Sequence, residues 1–119
     1  VTAFSRGCLA NGVLPCLKHF PGDGYEERDQ HLVTGYNGLS CEEWDATFGK
    51  VYADAIDGGI SMIMAAHFIL PSYQRRLYPS LRDEDMQPAC TSPELIQGLL
   101  RGKLGYNGIV VTDQTPTRP

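Results

Sequence analysis

The sequence predicts an α/β fold built on parallel strands. Two observations carry this: short, nearly continuous apolar runs at 13–20, 60–68 and 108–112, and, around them, segments whose apolar residues recur every three or four positions. Strands covered on both faces read as unbroken apolar runs, and helices that alternate with such strands pack on a parallel sheet.

Residues 1–10 are predicted as the last turns of a helix, with Phe4, Cys8 and Leu9 on one face and Asn11-Gly12 as its stop. An uncapped start at residue 1 is expected of a cut chain. The first strand, 13–20, carries Val13, Leu14, Cys16, Leu17 and Phe20; Pro15 removes a ladder donor and so belongs near its beginning. Residues 21–39 are too long and too rich in Gly, Pro and polar groups for an ordinary connection, which marks a functional or mobile loop.

Ser40-Cys41-Glu42-Glu43 has the form of a capping box and opens the next helix. Its apolar stripe is Trp44, Phe48, Val51, Tyr52, Ala55 and Ile56, and Gly58-Gly59 ends it. Strand 60–68 comes next, with His67 near its C-terminal end, and then a second irregular loop, 70–91, whose charges are expected to be solvated. Ser92-Pro93-Glu94 caps a third helix with the stripe Leu95, Ile96, Leu99, Leu100 and Leu104, closed by Gly105. Strand 108–112 leads to Asp113. Right-handed crossovers place all three strand C-termini on one edge, where ligands bind in α/β folds, and Lys18, His19, His67 and Asp113 all belong there.

Composition narrows the function. The 119 residues are 42% apolar with a net charge of −4, and Arg75-Arg76 is the only basic doublet. Nucleic acid and anionic membrane surfaces need clustered positive charge and are not expected as partners. The longest apolar run, 60–70, is too short to cross a bilayer and contains Ser61 and His67. No signal peptide is visible in the residues given. Cys8, Cys16, Cys41 and Cys90 show neither metal spacing nor scaffold density, so they are expected reduced and mostly buried, which points to a cytoplasmic setting. Trp44, Phe48, Met62 and Met64 are expected in the core.

The chemistry concentrates in Lys18-His19-Phe20-Pro21-Gly22-Asp23-Gly24 and Asp29-Gln30-His31. Asp29 and His31, two apart in an extended segment, would point the same way, and a carboxylate on one imidazole nitrogen orients the other as a proton donor and acceptor. An idle surface pair has the same spacing. Asp113, after four strand residues expected to be buried, is either a nucleophile or base or a cap for the next element of the chain. Lys18 and His19 could bind hydroxyls or an anion, or one could simply face solvent and the other the loop. No two histidines have the short helical spacing of a zinc site, and Gly22-Asp23-Gly24 lacks the following helix of a phosphate loop, so neither a metal nor a cofactor is expected.

In order, Lys18-His19-Phe20-Pro21-Gly22-x-Gly24, Asp29-x-His31, Met64-x-Ala66-His67 and the run from Leu99 through Gly105-Tyr106-x-Gly108 to Val110-Val111-Thr112-Asp113 resemble family 3 glycoside hydrolases. The resemblance is closest to their β-N-acetylglucosaminidase (β-N-acetylhexosaminidase) branch. It implies part of a (β/α)8 TIM barrel that hydrolyses terminal β-linked N-acetylglucosamine with retention, through a covalent glycosyl-enzyme. Asp113 then matches the nucleophile, His31 the acid/base and Asp29 its partner. Lys18 and His19 match residues that bind sugar hydroxyls, and His67 a position at the site edge. The partner implied is a carbohydrate.

Position 23 is Asp where many relatives have His, and residues 114–119 do not look like the family's continuation, so they are expected to be a truncated or non-native tail. On this reading residues 1–119 are a fragment of one catalytic barrel, without its early strands and inactive in isolation. The alternatives are a catalytically dead remnant that binds a sugar or a partner, and a β-glucosidase or phosphorylase of the same family.

Overall fold

The structure is a computed structural model describing residues 1–114. In chain order it contains α1 (Thr2–Ala10), β1 (Cys16–Phe20), β2 (Gly35–Tyr36), α2 (Cys41–Trp44), a π turn over Asp45–Gly49, and α3 (Lys50–Asp57). After these come β3 (Met62–Ala65), β4 (Phe68–Ile69), α4 (Pro71–Leu77), a short 3-10 turn over Asp83–Asp85, α5 (Glu94–Lys103, of π type) and β5 (Ile109–Thr112).

Three strands form a parallel sheet in the order β1-β3-β5, so the predicted α/β class holds. Leu17 pairs with Ile63, and Ile63 with Val110, so the three strands run level and their C-terminal ends meet at one edge. Beyond that edge the ladder continues through single bonds. Ala66 N–H donates to the Phe20 carbonyl (2.8 Å) and Asp113 N–H to that of Ala65 (3.0 Å). These bonds bring the segments after β1, β3 and β5 to one place.

The helices cover the sheet with an aromatic core. Phe20 meets Tyr52 edge-on at 5.1 Å and Trp44 meets Tyr73 at 5.3 Å, while Ile63, Leu70, Leu95, Leu99 and Leu100 are fully buried around them. The capping box forms as predicted: the Ser40 hydroxyl accepts from Glu43 N–H, and Glu43 accepts from Ser40 N–H. Arg101 donates to the carbonyls of Tyr106 (2.9 Å) and Gly108 (2.7 Å), fixing the turn from α5 into β5.

Several expectations are corrected. β1 starts only at Cys16, because Val13 and Leu14 are exposed before Pro15 and the Val13 N–H turns back to the Cys8 carbonyl (2.9 Å) instead of joining the sheet. α1 buries Ser5 and exposes Phe4 and Leu9, the reverse of the predicted face. Residues 60–68 are not one strand. The chain leaves the sheet after Ala65, and Phe68–Ile69 pairs instead with Gly35–Tyr36 in a second, two-stranded parallel sheet.

Loop 70–91 contains α4, which opens on Pro71 at its first turn and ends on Arg75 and Arg76, a favourable charge placement. Arg75 pairs with Asp83 (2.6 Å) and Arg82 with Asp85 (2.7 Å), so these charges are paired as well as solvated. Val51 is exposed, and Phe48, Met62 and Met64 are half-buried rather than core. β5 lies at the sheet edge and exposes Ile109 and Thr112. All four cysteines are free, but only Cys41 is buried. The expectation of a foreign tail falls, beyond Gln114, outside the described residues. No described helix is long and apolar enough to cross a membrane.

Candidate active site

The site lies at the C-terminal edge of the three-stranded sheet. His19 comes from the end of β1, Asp113 follows β5, His67 follows the turn out of β3, and Asp29 and His31 reach in from the loop between β1 and β2.

The loop is pinned where it begins. The buried Trp44 indole N–H donates to the Pro21 carbonyl (2.8 Å), and buried Asn37 donates to that of Gly22 (3.1 Å). These bonds satisfy carbonyls that would otherwise be buried unpaired. Gly22 has φ +124, and a Cβ there would lie 2.3 Å from the Phe48 ring, so only glycine fits. The far part of the loop is held by buried Gln30, whose Oε1 accepts the His67 N–H (2.9 Å). Because Gln30 faces inward, its neighbours Asp29 and His31 are left to face the site.

Asp29 and His31 sit in a turn rather than the predicted extended segment, with Leu32 N–H donating to the Asp29 carbonyl (3.0 Å). Asp29 Oδ1 accepts both the His31 N–H (2.9 Å) and Nδ1 (2.7 Å), an arrangement that fixes the imidazole from two sides. The other ring nitrogen, Nε2, lies 3.2 Å from Asp113 Oδ2. The Asp29 hydrogen bond, with the Asp113 charge behind it, raises the His31 pKa above its ordinary value. The bonds from His31 hold Asp29 below the usual carboxylate range.

Asp113 is nearly buried. Burial pushes its carboxyl up, but the Gln114 N–H donated to Oδ1 (2.8 Å) and the His19 and His31 imidazoles outweigh it, and the group is held low. An ionised carboxylate beside an oriented imidazole has the chemistry to serve as a nucleophile paired with a proton donor.

The remaining predicted residues divide. His19 joins the cluster: its Nε2 lies 3.6 Å from Asp113 Oδ2 and its Nδ1 2.6 Å from Asp23. His67 stands beside it, its ring 6.4 Å from that of His31, with Nε2 on the Gln114 carbonyl (2.8 Å) and Nδ1 near Cys90 Sγ (3.3 Å). Lys18 is exposed on β1 and has no ion-pair partner among the described residues. Asp23 and Gln30 are contributors that the sequence reading left out of the site. The spacing of His19 and Asp23, four apart across a Pro-Gly turn, was the available signal for the first; Gln30 had none. Among the described residues no group of three His, Cys, Asp or Glu side chains is arranged to hold a metal ion.

A model of the glycosyl hydrolase family 3 N-terminal domain matches residues 1–117. The chain belongs to glycosyl hydrolase family 3. Within it, the chain is 49% identical over 106 residues to a β-N-acetylglucosaminidase/β-glucosidase of Cellulomonas fimi, covering 89% of this chain and 19% of that protein. Among solved structures, a β-glucoside phosphorylase superposes with a TM-score of 0.95 at 44% identity, over 97% of this chain and 21% of the other. A family 3 β-N-acetylglucosaminidase from Paenibacillus sp. superposes with a TM-score of 0.78 at 35% identity, over 94% and 20%. The chain thus spans about a fifth of the length of these relatives.

Proposed function

We propose that this chain carries the nucleophile and acid/base of a retaining β-N-acetylglucosaminidase. The observation that carries the reading is the chain of contacts Asp29–His31–Asp113, at 2.7 and 3.2 Å. In the first step an Asp113 oxygen attacks the anomeric carbon, the bond to the leaving oxygen breaks, and His31 Nε2–H protonates that oxygen. In the second, neutral Nε2 takes a proton from water, the water oxygen attacks the anomeric carbon, and Asp113 leaves as carboxylate. Asp29 stabilises the imidazolium in both steps.

His19 and Lys18, at the end of β1, are read as hydroxyl-binding groups for the sugar, and His67 as a group at the edge of the site. The three parallel strands and the one-fifth span support reading the chain as part of a larger (β/α)8 barrel. The substrate is a carbohydrate with a terminal β-linked N-acetylglucosamine.

The likeness to the phosphorylase favours a second reading, in which phosphate replaces water in the second step. A neutral imidazole, unlike a carboxylate base, does not repel an anionic nucleophile. Turnover of matched glycosides with and without the acetamido group, in buffer with and without phosphate, separates the two.

The decisive test is Asp113→Asn in the full-length protein. Turnover should fall on the order of 10⁴-fold, and a 2-fluoro sugar that labels the wild type should leave the variant unlabelled. A variant still labelled at full stoichiometry removes Asp113 as nucleophile.

A further inference from the structure

Asp113 Oδ2 faces two imidazoles rather than one. His31 Nε2 lies 3.2 Å from it and His19 Nε2 3.6 Å, and each ring has its own carboxylate on Nδ1: Asp29 at 2.7 Å and Asp23 at 2.6 Å. The His19 side chain is mostly buried, and among the described residues Asp23 and Asp113 are the carboxylates within ion-pair distance of it. The charged groups that line the same small cleft are otherwise engaged: Arg28 with Glu26 (2.6 Å) and Asp29 with His31.

We propose that Asp23 is a positioning residue that acts through His19 on the nucleophile, a counterpart of the Asp29–His31 pair. A carboxylate on Nδ1 can only accept, so it keeps a proton there, and a second carboxylate near Nε2 favours a proton on that nitrogen too. His19 then stands between two carboxylates, held by one and facing the other. The ring so held offers Nε2–H to ionised Asp113 before attack and again when the glycosyl bond to that carboxylate is broken. The Coulombic pull of His19 is one of the influences holding the Asp113 carboxyl low. A histidine at position 23 could not do this, because it would bring a second base rather than an anion to Nδ1.

The catalytic consequence rests on Asp113 being the nucleophile; the link itself can be read without substrate. In the full-length protein labelled with 15N-histidine and 13C-aspartate, His19 Nδ1 should be protonated. In Asp23→Leu, a near-isostere without an acceptor, nothing holds the proton on Nδ1, and the Nδ1 signal should lose its protonated character. The Asp113 13Cγ titration and the acid limb of kcat/KM should both move up, with kcat/KM down about tenfold. Asp23→Glu, which keeps the carboxylate, should restore the Nδ1 proton and most of the rate.

The proposal is overturned if His19 keeps its Nδ1 proton in the Leu variant as in the wild type, or if the Asp113 titration does not move. If those two signals respond as expected while the wild-type protein turns over no glycoside, the Asp23–His19–Asp113 link stands and the glycosidase reading fails.

Discussion

His31 Nε2 and Asp113 Oδ2 lie 3.2 Å apart although 82 positions separate them in sequence. On the proposed roles, that contact occupies the place of a glycosidic oxygen between acid and nucleophile, and substrate entry replaces it. In the proposed mechanism the His31 proton that faces Asp113 is the one passed to the leaving group. His31→Gln should therefore slow glycosides with poor leaving groups by about 10²–10⁴-fold and activated aryl glycosides far less. Equal losses on both classes count against an acid role for His31.

The same pair sets a pH dependence. His31 has a folded pKa raised above 6.5, so its ion pair contributes stability that is fully present below 6.5 and is lost as pH rises through the folded value. Asp29 and Asp113 are lowered from 3.8, so their contributions are present above 3.8 and are lost as pH falls through their folded values. The difference in urea midpoint between wild type and His31→Gln should thus peak between 3.8 and 6.5 and shrink on the alkaline side. The alkaline limb of kcat/KM should track His31 and move to lower pH in Asp29→Asn. A stability difference that grows above neutral pH would contradict a raised His31.

How the loop is held explains what could and could not be read from sequence. The three parallel strands came from the three apolar runs, and with them the meeting of His19, His67 and Asp113 at one edge, because parallel strands leave no other place for their C-terminal ends. The Asp29–His31 pair was visible as a spacing, though its turn was not. What escaped lacks a pattern in one dimension. β2 and β4 have two residues each, too few for any period. α4 buries Tyr73 and Gln74 and carries Arg75-Arg76, so it shows no apolar stripe. The buried Gln30 is a polar residue whose partner, the His67 N–H, lies 37 positions away.

Gln30 is therefore a sharp test of the loop's anchoring. Gln30→Ala leaves the His67 N–H without its acceptor in a buried position, a cost of about 1–3 kcal/mol. It also frees the residue between Asp29 and His31, so kcat should fall with little change in the His31 pKa. Thermal unfolding read beside the pH profile checks both. An unchanged midpoint would mean that solvent replaces the bond and that the loop is held mainly at its Pro21 end.

At that end the constraint is steric. A methyl group on Gly22 would stand 2.3 Å from the Phe48 ring, and φ +124 is a conformation that side chains rarely adopt, so Gly22→Ala carries two costs at once. Enlarging space alone should not cure it. Phe48→Ala together with Gly22→Ala removes the clash but keeps the backbone strain, and it also loses the packing of a half-buried ring. The single variant should lose about 1–3 kcal/mol, and the double should recover only part of that relative to Phe48→Ala alone. Because the Pro21 and Gly22 carbonyls carry the Trp44 and Asn37 bonds, any shift there displaces Asp23 and, with it, His19. The His19 Nδ1 resonance should move in Gly22→Ala even where the Asp29–His31 pair is undisturbed. A double-variant cycle in which the clash term is zero would show that Phe48 simply rotates away and that the glycine is required for its backbone angle alone.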